Sequence, residues 1–305
     1  MTHTLVVWQW TDGKRGHARQ CEGLMQALRA RLPVSHHLLS IPTSAPRRLL
    51  DFLCGALPGQ RQLPDPDLIL GAGRGCEWPL LAARRARGGK AVYLMRPQLP
   101  RRWFDLCVIP RHDDAHETRT TIVSEGPLNP MRPAATREAG LAVLLLGGPS
   151  AHHRWNTGAM LAQIDRLLTA TPDFRWTVSN SRRSPPELAT LLASRADLDF
   201  VAHAASAPDW LPNLLSRAAQ VWVSADSVSM IYEALSAGAA VGVLEVPARR
   251  HDRITGIADS LRQRGLVMSL ADAGREAAVP RVVLHEAERV AALIVARWPA
   301  LVNRA

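Results

Sequence analysis

One pattern runs the length of the chain: a short, continuous apolar run is followed by a segment with helical spacing, and the couplet repeats. Runs such as Leu68–Gly71 and Leu141–Leu146 lack the polar alternation of a half-exposed strand, so they suit parallel strands buried on both faces. The first series of predicted strands is Leu5–Trp10, Ser35–Ile41, Leu68–Gly71, Ala91–Met95, Asp105–Ile109 and Thr121–Ser124. The second is Leu141–Leu146, Arg175–Ser179, Asp199–Ala202, Gln220–Val223 and Ala240–Glu245, with a weaker run at Leu266–Leu270. His17–Leu32, Pro46–Cys54 and Glu77–Arg87 are helix candidates between them, and Val282–Trp298 reads as one amphipathic closing helix. Strands alternating with helices imply an α/β fold with parallel sheets.

Roughly a dozen strands would make an unusually wide single sheet. The reading is therefore α/β with two doubly wound, Rossmann-like domains facing across a cleft; one long Rossmann-like domain is the alternative. Pro127–Glu138, rich in proline and polar residues and without periodicity, marks the predicted boundary. It leaves a first domain at 1–133, a second at 139–280 and a C-terminal helix within 281–305.

Charge narrows the partners. Residues 1–138 hold 20 Lys or Arg and 12 Asp or Glu, a net of +8, whereas residues 139–305 hold 17 and 15, a net of +2. A basic first half suits nucleic acid, anionic lipid headgroups or a phosphorylated substrate, or it reflects an arginine-rich genome, since only Lys14 and Lys90 are lysines. An aromatic content of 5%, with no RNP-like aromatic run and no C2H2 spacing, argues against nucleic acid. No apolar run approaches the about 18 residues of a transmembrane helix, and no signal-peptide pattern opens the chain. Cys21, Cys54, Cys76 and Cys107 are far apart and form no C-x-x-C pair. A cytoplasmic chain with reduced thiols and no metal is the expectation.

In doubly wound sheets, ligands bind beyond the carboxyl ends of the strands. Five segments there stand out. Thr11–His17 carries Asp12, Gly13, Lys14, Gly16 and His17 before a helix. Asp12 suits a base or a hydroxyl-orienting group, Lys14 a phosphate, and His17 a group titrating near neutrality. The alternative is a plain turn with Asp12 as helix cap; a Walker A loop is absent. Gly71–Glu77 (GAGRGCE) resembles G-x-G-x-x-G only loosely, with Glu77 where the third glycine would stand, and fits either a ligand or close packing. Gly147, Gly148 and Pro149 open the segment Gly147–Trp155 (GGPSAHHRW), which suits a diphosphate or a close interdomain approach; the alternative is a plain proline-terminated turn. Ser181, Arg182 and Arg183 offer phosphate ligands or solvated arginines. Asp226, Ser227 and Ser229 are placed to cap a helix, and Glu233, further along it, to meet ribose hydroxyls or solvent.

The order D-G-K-x-G-H, then G-G-P-S-x-x-x-x-W, then S-R-R-[ST]-P, then D-S-V-S-M-[IV]-x-E-A resembles the mitochondrial-fission ELM ("elongated mitochondria") family from Asp12 to Pro247, with Ser184 replacing the commoner threonine. That family is similar in fold to GT-B glycosyltransferases. The resemblance implies a nucleotide-sugar in the second domain and an acceptor, often lipid-linked, in the first, with the last helix crossing back to the first domain. Gly147, Gly148 and Ser181–Arg183 would line the nucleotide site, Ser227 and Ser229 would meet the diphosphate, and Glu233 the ribose. Asp12, Lys14 and His17 would face the cleft from the acceptor side.

The expected activity is metal-independent transfer of a sugar from a nucleotide-sugar to an anionic or lipid-linked envelope acceptor, with the nucleotide-sugar as substrate and no cofactor. The protein would work at the inner face of the cytoplasmic membrane, in peripheral contact with anionic lipid. Two alternatives stay open: a non-catalytic adaptor with a GT-B shell, and a non-hydrolysing nucleotide-sugar epimerase.

Overall fold

The computed structural model describes residues 3–55, 57–275 and 283–301. The chain divides into two compact units: unit 1 is Met1–Pro130 with His285–Ala305, and unit 2 is Met131–Leu284.

Unit 1 is built on six strands: β1 (Leu5–Thr11), β2 (Val34–Ser40), β3 (Leu68–Ala72), β4 (Lys90–Leu94), β5 (Leu106–Pro110) and β6 (Thr121–Ser124). All pairings are parallel, in the order β2-β1-β3-β4-β5-β6. β3 and β5 are buried along their whole length, as their unbroken apolar sequences require. Helix α1 (Arg15–Arg29) packs Leu24, Met25 and Leu28 into one core, with α2 (Ala45–Cys54) and α3 (Glu77–Arg87) elsewhere in the unit. Gly23 allows this: a side chain there would strike the backbone of Asn129. The predicted start of the last helix, Val282, lies outside the described residues. The helix itself runs from Glu286 to Arg297, here α9, and buries Val290, Ala291 and Ile294 against the α1 side of this core.

Unit 2 carries β7 (Glu138–Leu145), β8 (Arg175–Ser179), β9 (Asp199–Val201), β10 (Ala218–Ser224) and β11 (Ala240–Leu244), all parallel, in the order β11-β10-β7-β8-β9. The helices between are α4 (Thr157–Ala170), α5 (Pro186–Ala193), α6 (Trp210–Arg217), α7 (Val228–Ala237) and α8 (Ile257–Gln263). The predicted weak strand Leu266–Leu270 is not one. Met268 makes a single bridge to Gly242, and Ser269 and Asp272 then form a capping box that turns the chain into a short 3-10 helix. That turn withdraws the backbone groups a ladder would need.

Both strand orders reverse direction once. The reversal lies between β1 and β3 in unit 1, and between β7 and β10 in unit 2. Such a switch point opens a crevice at the carboxyl ends of the two strands, because their connections leave to opposite sides.

Candidate functional site

In unit 1 the loops after β1 and β3 meet at this crevice. Asp12 and His17 form a pair, with His17 Nδ1 at 2.9 Å from Asp12 Oδ2. Asp12 Oδ1 also accepts the Lys14 backbone N–H at 3.1 Å. Because a carboxylate only accepts, Nδ1 is the protonated ring nitrogen facing Asp12, and Nε2 is the one outside the pair. The Asp12 side chain is almost covered, at 7% exposure, whereas His17 is 21% exposed.

The glycine loop holds this pair. A Cβ at Gly73 would overlap the His17 ring and lie 2.9 Å from Asp12 Oδ2, and the φ of +87° there also favours glycine. Close packing thus accounts for the glycine at position 73 of GAGRGCE. Glu77, standing in place of a third glycine, is buried and accepts from Tyr93 Oη at 3.2 Å and from the backbone N–H groups of Gln98 and Leu99 at 2.9 and 3.0 Å. Burial and the Glu77 carboxylate push the Tyr93 hydroxyl pKa up.

Asp12 is not the cap of α1. The N-cap position is Lys14, in extended conformation, with no side-chain cap bond. Gly13 adopts φ +75° to make the turn, and Gly13, Lys14 and Gly16 are exposed.

Unit 2 treats its switch point differently. The Asp226 side chain is fully covered, and its carboxylate collects the Gly148 N–H at 3.0 Å, the Ser224 hydroxyl at 2.7 Å and Arg183 Nη2 at 2.7 Å. Ser224 Oγ in turn accepts the Gly147 N–H at 2.8 Å. Arg183 Nη1 also donates to the Gly148 carbonyl at 2.9 Å, and Ser181 Oγ donates to the Gly147 carbonyl at 3.0 Å. Any side chain at Gly147 would collide with the Asp226 carboxylate, and one at Gly148 with the Arg183 backbone.

Three expectations change here. The N–H groups of Gly147 and Gly148, expected to meet a diphosphate, are engaged within the protein. Arg183 is not a free phosphate ligand: it latches onto Asp226 while staying 40% exposed to solvent. Ser227, which is buried, occupies the N-cap position of α7 but makes no side-chain cap bond; Asp226 is drawn instead to the neighbouring strand-end loops. Exposed at this rim are Pro149, Arg182 and Ser229, while Glu233 is half-buried on α7. The first-turn N–H groups of α7 have no intrahelical acceptor, as at any helix start.

Several strand-end residues escaped the sequence reading. After β4, Met95 takes φ +112°, an unfavourable conformation for a side-chain-bearing residue. After β5, Asp113 is buried and Asp114 has φ +50°. In unit 2, His152 Nδ1 lies 2.7 Å from Asp252 Oδ2, and Asp252 also accepts the N–H groups of Ile254 and Thr255. The His152 hydrogen bond, followed by those backbone donors, holds the Asp252 carboxyl far below its ordinary range. The histidine pair in GGPSAHHRW was a visible signal; its partner Asp252, a hundred residues away in sequence, was not.

The model of the family described as mitochondrial fission ELM1 matches residues 15–298. The chain belongs to that family. The match begins just past Asp12, Gly13 and Lys14. No curated protein matches in sequence. Among solved structures, the chain is similar to a putative UDP-N-acetylglucosamine 2-epimerase from Listeria monocytogenes (13% identity, 97% of each chain, TM-score 0.58). It is similar too to a UDP-GlcNAc 2-epimerase from Neisseria meningitidis bound to UDP-GlcNAc (12% identity, 96% of this chain and 99% of that one, TM-score 0.54). A glycosyltransferase from Rickettsia africae ESF-5 also resembles it (13% identity, 99% and 100%, TM-score 0.52). At these identities the likeness establishes the fold, the GT-B architecture of glycosyltransferases and UDP-sugar epimerases.

Proposed function

We propose that this ELM-family protein transfers a sugar from a nucleotide-sugar to a hydroxyl on an anionic or lipid-linked acceptor. The observation that carries the proposal is the Asp12–His17 pair at the switch point of unit 1. Asp12 orients the imidazole through Nδ1, and Nε2 takes the acceptor's hydroxyl proton. The acceptor oxygen then bonds to the anomeric carbon while the bond from that carbon to the diphosphate breaks. The nucleoside diphosphate leaves with the electron pair. Its growing charge is met by the N-terminal turn of α7, at Ser227 and Ser229, and by exposed Arg182. Glu233 takes the ribose hydroxyls, and Lys14 grips the anionic acceptor. The donor's class is supported by the UDP-GlcNAc held in the meningococcal structure of the same fold. The working place is the inner face of the cytoplasmic membrane, against anionic lipid. Among the described residues no helix is long and apolar enough to cross a membrane, so membrane contact would be peripheral in this reading.

Calorimetry with UDP-, GDP-, ADP- and CMP-sugars tests the first step: one of them binds, and Arg182→Ala weakens it. Binding of none overturns the proposal and favours an adaptor. The epimerases of similar fold support a second reading, in which the chain inverts the sugar at carbon 2. Incubation of a bound nucleotide-sugar in deuterated water separates the two. Deuterium at carbon 2 without any acceptor supports epimerisation, and its absence rules that reading out.

A further inference from the structure

Helix α2 is amphipathic, but it faces the wrong way for a surface helix. Its one acid, Asp51, is buried under Arg47 (Nε to Oδ1 2.7 Å), while Leu49, Leu50 and Leu53 are 40%, 53% and 58% exposed. The three leucines fall within an arc of about 100° on the helix. The apolar surface continues past them. Phe52 packs against Trp78 at 5.1 Å between ring centroids and against Trp103 at 6.4 Å, and Trp103 is itself exposed. Of the exposed large hydrophobic side chains among the described residues, most lie on this one surface rather than scattered.

Its rim is positive. The Arg85 guanidinium sits 5.7 Å from the centre of the Phe52 ring, and Arg101 and Arg102 directly precede Trp103. The acids nearby are already answered: Asp51 by Arg47, and Asp105 by Arg84 at 2.7 Å. We infer that this face of unit 1 docks on an anionic lipid bilayer. The α2 leucines enter the acyl boundary, Trp103 lies at headgroup level, and Arg85, Arg101 and Arg102 take lipid phosphates. A lipid surface fits better than a protein partner because it offers a broad apolar phase and a negative layer at the same time. This deepens the membrane contact proposed above and rests on it in that respect, yet the surface lies wholly in unit 1 and needs no nucleotide.

Co-sedimentation of the full chain with phosphatidylcholine vesicles, with and without phosphatidylglycerol, tests the inference. The chain should bind the phosphatidylglycerol vesicles, and salt should weaken the binding. Leu50→Glu with Leu53→Glu should abolish it, and Arg101→Gln with Arg102→Gln should weaken it by about fivefold per arginine. Leu191→Glu, an exposed leucine of α5 in unit 2, should change nothing. The α2 leucines contribute little to the core, so melting curves should match those of the unaltered chain.

A second readout uses Cys54, the exposed cysteine at the end of α2; Cys21, Cys76 and Cys107 are buried. Burial pushes the thiols of Cys76 and Cys107 up to about 12. A maleimide fluorophore should therefore label Cys54 and shift to the blue on vesicles. Failure to bind phosphatidylglycerol vesicles, or equal binding by the leucine double variant, overturns the inference. So does a vesicle-free dimer that the double variant dissolves, which would assign the face to a second copy of the chain. Vesicle binding by a protein that takes no nucleotide-sugar would sink the transfer reading and leave this one standing.

Discussion

The two switch points of this molecule look alike in sequence and differ in what they leave free. Each follows an apolar strand with glycines and polar residues. In unit 2 Asp226 and Ser224 are buried and, with half-buried Ser181 and the exposed Arg183, bind one another and the Gly147–Gly148 backbone. In unit 1 the Asp12 carboxylate is held, but its partner His17 is part-exposed. A buried network that satisfies its members adds rigidity. Arg183 is 40% exposed and His17 21%, so the difference is chemical rather than one of cover: a guanidinium only donates, whereas the imidazole has a second ring nitrogen able to take a proton. Gly73 and Gly148 express the same contrast: one glycine makes room for a histidine ring, the other for a backbone crossing.

Substitutions can break or sharpen that contrast. The largest effect belongs to His17. His17→Gln should cut sugar transfer by about a hundred- to ten-thousandfold, read as kcat with KM little changed. Its stability should fall by less than about 1 kcal/mol, because the pair is near the surface. Asp226→Ala should do the reverse in character. It strands the buried Gly148 N–H and Ser224 hydroxyl, and should cost about 3 kcal/mol in urea unfolding. Equal loss of stability in both variants would erase the distinction between the units.

Gly73→Ala should lie between them. The added methyl meets His17 and needs a positive φ, so about 2 kcal/mol of stability and most of the activity should go together. A Gly73→Ala protein with full activity would show that the pair is not held by this loop. The smallest change is Lys14→Ala: within about 0.5 kcal/mol in stability, with a raised KM for an anionic acceptor and an unchanged kcat.

Much of the fold was legible from the residues, for a local reason. Eleven strands lie at or near their predicted places because a strand buried on both faces must be continuously apolar, and helix spacing is unmistakable beside it. The error at Leu266–Leu270 has the same root. Apolar character was present, but the capping box of Ser269 with Asp272 ended the pairing after one bridge. At the site, Asp12 and His17 stand five residues apart on either side of a helix start, so their union could be anticipated as a local constellation. The Asp226 latch could not. It joins residues 43 and 78 positions apart, through strands whose order is not written in their succession. The α2 face was hidden for a related reason, since helical spacing reveals an apolar stripe but not which side of it meets the core.

By itself the sequence determined the alternation of strand and helix, the parallel sheets, the family and the places where polar loops follow strands. These depend on neighbours in the chain and on simple burial. Only the tertiary structure decided the strand orders, and with them which loops share a crevice, which arginine latches onto Asp226, and that Leu50 and Leu53 face outward. Those outcomes depend on distant segments competing for the same hydrogen bonds and the same buried surface.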